Sequence, residues 1–214
     1  MIEHGRISDY LDSLCPGNSC FLERIRREAA AQQMPIIRRD GEQFLKTLLT
    51  IKKPRRILEV GTCIGYSALV MAENSGAAIV TLEIGEADYR KACDNISAAG
   101  YADRICCLHT DASDYLRDCG DRFDFVFMDA AKAQYIHWLP RITEILEPGG
   151  ILLSDNVLHD GDIIESRFAV ERRDRTTHAR LREYLYELTH SPFYVTSVLN
   201  VADGMSVSVK VDVQ

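Results

Sequence analysis

The sequence predicts an α/β protein: a doubly wound, mostly parallel seven-stranded sheet with helices on both faces. Three observations carry that prediction. Short apolar runs alternate with amphipathic, helix-length stretches five times between residues 57 and 190. The first run, Ile57-Leu58-Glu59-Val60, passes through Gly61-Thr62-Cys63-Ile64-Gly65 into a helix-forming segment, which reads as strand, tight turn, helix. The last two runs, 193–198 and 205–211, flank Ala202-Asp203-Gly204 and read as an antiparallel hairpin added at one edge.

The elements follow in order. Residues 1–33 form a helical N-terminal extension, with a short helix over 6–14 and a break at Pro16-Gly17-Asn18-Ser19. A second helix covers 21–32, with Phe21, Leu22 and Ile25 at helical spacing. Arg24, Arg26 and Arg27 lie on it, either as a solvated face or as a binding surface. Met34-Pro35-Ile36-Ile37 is an extended connector, because the residue before a proline is pushed out of the helical region. An amphipathic helix over 41–51 leads through the basic turn Lys52-Lys53-Pro54-Arg55-Arg56 into the first strand. Strands are expected at 57–60, 79–83, 105–108, 123–128 and 150–154, and helices at 66–73, 87–99, 112–119, 134–146 and 177–190.

Composition sets the bounds. The 214 residues form one domain, 1–214, with 46% apolar and 27% charged residues, ordinary for a globular protein. No apolar run reaches membrane-span length, and Met1-Ile2-Glu3-His4-Gly5-Arg6 has no signal-peptide pattern, so a cytoplasmic protein with no membrane partner is expected. Seven cysteines, an odd number without a CxxC pair, point to reduced thiols and away from a zinc site. Cys106 and Cys107 share a strand, where adjacent side chains point to opposite faces, so no disulfide joins them. The net charge of −7 argues against a protein that coats nucleic acid.

The glycine turn narrows the chemistry. Gly61 and Gly65 let the backbone turn sharply beside a ligand. The stretch lacks the three glycines of GxGxxG and the GK[ST] of a phosphate loop, so a ligand without phosphates is expected. S-adenosylmethionine fits, since Glu59 suits its cationic part; a plain turn without a ligand is the alternative.

In a doubly wound sheet ligands sit beyond the C-terminal strand ends. Glu83 closes the second strand 24 residues after Glu59, where a carboxylate receives a ribose diol. Asp111-Ala112 follows the third strand and either contacts adenine or caps the next helix. Asp129 ends the fourth strand, and Asp155-Asn156 ends the fifth. Three oxygen donors on neighbouring strand ends describe a hard-cation site, with Mg²⁺ the natural occupant and Mn²⁺ an alternative; a simple Asp-Asn turn is the other reading. Lys132 stands three residues after Asp129. A bound cation would disfavour its ammonium form, leaving a base for a substrate hydroxyl, or else Lys132 is a surface residue at a helix start. Arg167, Arg172, Arg173, Arg175, Arg180 and Arg182 crowd sixteen residues after the Asp155 loop. They point to a polyanionic substrate or to helix ion pairs with Glu171, Glu183 and Glu187.

Together these residues resemble a known family. Glu59-Val60-Gly61-Thr62-x-x-Gly65-Tyr66-Ser67, the Glu83 strand end, Asp129-Ala130-Ala131-Lys132-x-Gln134-Tyr135, Gly149-Gly150, Asp155-Asn156-Val157-Leu158-x-x-Gly161 and Asp203-Gly204 resemble the metal-dependent class I O-methyltransferases of catechol and caffeoyl-CoA type. The N-terminal helices, the Met-Pro-Ile-Ile connector and the arginine-rich segment are most similar to the bacterial tRNA 5-hydroxyuridine methyltransferases. The resemblance implies a Rossmann-like fold and a cofactor pocket lined by Met34, Ile36, Glu59, Gly61, Tyr66, Ser67, Glu83, Asp111, Ala112 and Asp129. It implies Mg²⁺ on Asp129, Asp155 and Asn156, catalytic roles for Asp129 and Lys132, a homodimer, and tRNA as acceptor, with a small catechol-like or CoA-linked phenol as the alternative. Thr110 and Ala202 depart from the family pattern, where glycine is frequent at both places.

Overall fold

The computed structural model describes residues 10–166 and 168–212. Seven strands form one sheet in the order β3-β2-β1-β4-β5-β7-β6. They are β1 Arg56–Val60, β2 Ala78–Glu83, β3 Ile105–His109, β4 Phe123–Met128, β5 Leu146–Ser154, β6 Tyr194–Leu199 and β7 Met205–Lys210. Strands β1 to β5 pair in parallel, and β7 runs antiparallel to both β5 and β6, so the hairpin forms the predicted edge addition.

Side-chain alternation divides the core. Ile57, Ile79, Phe125, Phe127, Ile151 and Leu153 face one side of the sheet, while Leu58, Leu82, Val126, Met128 and Leu152 face the other. On the first side pack α1 Cys20–Ala31, α2 Arg39–Lys52, α3 Tyr66–Asn74 and α4 Glu86–Ala98. On the second lie α5 Ala112–Asp118, α6 Tyr135–Ile145 and α7 Arg175–His190. Because both faces are covered, the central strands read as near-continuous apolar runs, which is why they were legible. Only part of the expected 6–14 helix lies among the described residues; 10–14 are helical.

Three details differ from expectation. Strand β5 starts at Leu146 and runs through Pro148-Gly149-Gly150, which as sequence looks like a break. The register against β4 jumps there, from Phe123↔Leu146 to Phe125↔Ile151, so the extra residues bulge out with Gly149 at φ 71°. A 3₁₀ turn, Lys132–Gln134, precedes α6, and another, His159–Ile164, occupies the loop after β5. Arg26 belongs to neither a solvated face nor an open binding surface. It pairs with the buried Glu42, bonds the Tyr66 hydroxyl at 3.0 Å and lies over the Tyr66 ring at 4.8 Å. Lys46 adds a second cation at 2.6 Å from Glu42, and the Tyr66 hydroxyl donates to that carboxylate at 2.8 Å. This network pins the N-terminal helices to the start of α3.

Candidate active site

The strand order reverses between β1 and β4, and the crevice opens there. Backbone bonds carry the sheet past its strand ends: Gly61 and Thr62 N–H to Leu82 O at 3.1 Å, Asp129 N–H to Val60 O at 2.9 Å, and Asp155 N–H to Met128 O at 2.9 Å. The chemistry-bearing residues therefore stand in one row across four adjacent strands.

Gly61 has φ 103°, and a Cβ there would lie 2.1 Å from the Asp129 carbonyl oxygen, so no side chain fits. The loop it opens is held from below. Glu83 accepts the Cys63 N–H at 2.7 Å and the Gly85 N–H at 2.8 Å, one on each carboxylate oxygen. Each oxygen keeps a lone pair for a ligand hydroxyl.

Two adjoining cavities share Gly61, Cys63, Asp129 and Ala130. The first is also lined by Ile36, Tyr66, Ser67, Lys132, Asp155 and Asn156. The second, of about 380 Å³, adds Glu83, Asp111 and Ala112. Of the sequence-predicted residues, only Met34 and Glu59 do not line either cavity. Met34, half-buried, packs against the core.

Glu59 lies fully buried under the glycine turn. One oxygen accepts from the Thr81 hydroxyl; the other, Oε1, has no hydrogen-bond partner among the described residues. Burial pushes its carboxyl up to about 8, against hydrogen bonds from Ser67 and Thr81 and with the help of the negative charges of Asp129 and Glu83. A nearby cationic ligand would favour the ionised form of this buried carboxyl. The Gly61 cradle, the Glu83 carboxylate and this carboxyl fit a cationic nucleoside such as S-adenosylmethionine.

Asp111 caps α5, its side chain accepting the Ser113 N–H at 2.7 Å, and it also lines the second cavity. Sequence reasoning missed Cys63, Ile84, Gln134 and Trp138, all in that lining. Trp138, the only tryptophan of the chain, is fixed by its Nε1–H to Ser113 Oγ at 3.0 Å. Its spacing, three residues after Tyr135 on the same helix, is also that of a core residue.

Asp129 and Asp155 follow residues paired in register, Met128 and Ser154, and so stand side by side. Burial raises the Asp155 carboxyl to about 7, and the neighbouring Asp129 charge adds to that. Burial likewise raises Asp129, while Lys132 opposes the rise from 3.6 Å away. Asn156, held at φ 55°, brings its amide to the same cavity. Among the described residues no cluster of three His, Cys, Asp or Glu could hold a metal; the set here is two carboxylates and one amide. Crowded, buried carboxylates with an amide alongside fit a hard divalent cation, whose charge would relieve their mutual repulsion.

The arginine run is largely spent inside the fold. Arg175 Nε donates to Val170 O at 3.2 Å, Arg180 Nη1 to Ala133 O at 3.3 Å, and Arg182 Nη1 to Ile163 O at 2.8 Å. Arg173 meets Glu171 at 3.0 Å and Asp174 at 3.3 Å. Arg172 is exposed, and Arg167 lies outside the described residues. Helix α7 therefore braces the loop that carries Lys132 and the loop after β5. His159 pairs with Asp162 at 3.3 Å and does not line the site. All seven cysteines are free thiols, and no helix among the described residues is long and apolar enough to cross a membrane.

The chain matches the O-methyltransferase family over residues 13–211. It is 31% identical over 163 residues to catechol O-methyltransferase of Mycobacterium tuberculosis, covering 74% of each chain. It is 29% identical over 178 residues to caffeoyl-CoA O-methyltransferase 1 of Eucalyptus globulus, covering 78% of this chain and 71% of that one. Among solved structures, the O-methyltransferase of Bacillus cereus in complex with S-adenosylhomocysteine is similar with a TM-score of 0.83 at 26% identity, over 96% of this chain and 97% of that one.

Proposed function

The chain belongs to the O-methyltransferase family, and we propose that it transfers a methyl group from S-adenosylmethionine to a hydroxyl of a small catechol-like or CoA-linked phenol. One observation carries the reading: Asp129, Asp155, Asn156 and Lys132 line a cavity that adjoins, across Gly61, a second one bearing Glu83 and Trp138. A cofactor reaching from the second cavity past Gly61 toward Ile36, Tyr66 and Ser67 would meet, beside Asp129, an acceptor held near Asp155 and Asn156.

Each residue has a task. Glu83 receives the ribose hydroxyls, and Asp111 with Trp138 borders the base. The Gly61 turn lets the backbone approach the ligand closely. Glu59, which keeps its proton while no cation is near, would ionise beside a cationic ligand and then stabilise it. Asp129, Asp155 and Asn156 would hold Mg²⁺ or Mn²⁺, which when bound orients vicinal oxygens and lowers the pKa of a hydroxyl. Lys132 Nζ, 3.6 Å from Asp129, takes the proton from the acceptor hydroxyl. The buried walls fix donor and acceptor in one orientation, which supplies much of the rate enhancement.

A second reading keeps the same chemistry with tRNA 5-hydroxyuridine as acceptor. It rests on the arginine-rich segment, of which Arg172 and Arg173 are exposed. Relatives of catechol and caffeoyl-CoA type support the small phenol. A labelled-methyl assay with catechol, caffeoyl-CoA and 5-hydroxyuridine tRNA separates them. Label in a phenol is expected; label in tRNA alone would overturn the small-acceptor reading.

A further inference from the structure

Asp129 and Asp155 stand on separate strands, and their separation decides which cation they suit. Beside the backbone bond from Asp155 N–H to Met128 O at 2.9 Å, a side-chain group also links the two strand ends, the hydroxyl of Tyr135. Tyr135 opens α6 and is fully buried. Its hydroxyl accepts the Ala130 N–H at 3.2 Å and lies 3.1 Å from Met128 O and 3.3 Å from Asp155 O. Those backbone groups flank Asp129 on both sides and belong to Asp155 itself. One hydroxyl thus contacts the residues on either side of Asp129 and the backbone of Asp155 without lining the cavity.

A second hydroxyl supports the first. The Tyr184 ring meets Tyr135 edge-on at 5.5 Å, and the Tyr184 hydroxyl is 2.6 Å from Ser154 Oγ, one residue before Asp155. A phenylalanine at 135 would fill the same volume and leave Ala130 N–H and two carbonyls without this link. The core alone therefore does not call for a tyrosine here.

We propose that Tyr135 is the positioning residue of the cation site: its hydroxyl, pinned between β4 and β5, sets the spacing and aim of Asp129 and Asp155. The inference rests on the reading of those residues as cation ligands and assigns a role to a residue that is not one of them. Groups that orient metal ligands typically contribute about ten- to hundredfold in metal affinity.

The test titrates Mn²⁺ into the purified chain and reads the free ion by electron paramagnetic resonance, without cofactor or turnover. Three proteins are compared: wild type, Tyr135→Phe and Tyr194→Phe. Tyr194 supplies a control hydroxyl, bonded at 2.9 Å to Thr143 Oγ1 and absent from the site lining. Tyr135→Phe is expected to weaken Mn²⁺ binding about tenfold or more, with Tyr194→Phe within about twofold of wild type because it is remote. Unchanged affinity in Tyr135→Phe, or equal loss in both variants, overturns the proposal. Absence of saturable Mn²⁺ binding in the wild type overturns the cation reading itself and this inference with it. Should Tyr135→Phe not fold, hydrogen exchange of the wild type reads the same link. An Ala130 amide protected from exchange supports the proposal, and one exchanging at unstructured-chain rates overturns it.

Discussion

Replacing Glu59 by glutamine should make the cofactor-free protein more stable, and increasingly so as the pH rises. Glu59 is fully buried, and burial lifts its carboxyl from 4.5 to about 8. Below pH 4.5 the carboxyl is protonated in both folded and unfolded chains. Between pH 4.5 and 8 the unfolded chain releases this proton and the folded chain keeps it. Stability is therefore lost as pH rises through that window, at about 1.4 kcal/mol per pH unit, reaching roughly 5 kcal/mol above pH 8. Glutamine does not titrate, so the variant escapes this loss. Its amide can still accept from the Thr81 hydroxyl, while any unpaired amide proton adds a pH-independent cost of about 1–3 kcal/mol. The pH dependence, not the absolute difference, is the readout. Urea denaturation at pH 5, 6, 7 and 8 in EDTA should show the variant gaining on the wild type at each step. A difference that stays constant across that range would refute the assignment of a raised carboxyl to Glu59. The same variant should bind S-adenosylmethionine more weakly, because glutamine cannot ionise in response to the cationic centre as Glu59 can.

Other outcomes follow from the same contacts. Gly61→Ala places a methyl 2.1 Å from the Asp129 carbonyl oxygen at φ 103°; it should cost at least about 3 kcal/mol in a urea melt and remove activity together with it. Arg180→Ala frees the Ala133 carbonyl beside Lys132 and should lower kcat about tenfold, whereas Arg173→Ala, paired only at the surface, should leave turnover with a small phenol unchanged. The exposed Tyr10, Leu11 and Leu14 should be covered in a homodimer; light scattering at micromolar concentration is expected to give twice the 24.1 kDa chain mass, and a monomer mass would remove that proposal.

Much of this architecture was legible because its causes are local in sequence. A strand covered on both faces must be apolar throughout, so Ile57–Val60 and Phe123–Met128 announce themselves. Gly61 and Gly65 mark the turn directly after the first strand, and Asp129, Asp155 and Glu83 sit at strand ends, where the doubly wound topology places ligands. What stayed hidden depends on approach in space. Cys63, Ile84 and Trp138 reach the cavity from three different elements and carry no spacing that separates them from core residues. The arginine-rich segment reads differently in the fold because composition counts charges without showing their partners. Arg175, Arg180 and Arg182 look like a basic patch in sequence and are braces to backbone carbonyls in the fold. Arg26 reads differently too, since its partner Glu42 lies sixteen residues away on another helix. The start of β5 was missed because Pro148-Gly149-Gly150 reads as a break, while a bulge lets the strand carry those residues.

The most direct test of cation-assisted methyl transfer measures label moving from S-adenosylmethionine to catechol in EDTA, with Mg²⁺ then added back, for wild type and Asp129→Ala. The account predicts no transfer by the wild type in EDTA, full recovery with Mg²⁺, and no transfer by Asp129→Ala under either condition. Undiminished transfer in EDTA, or activity retained by Asp129→Ala, would contradict it.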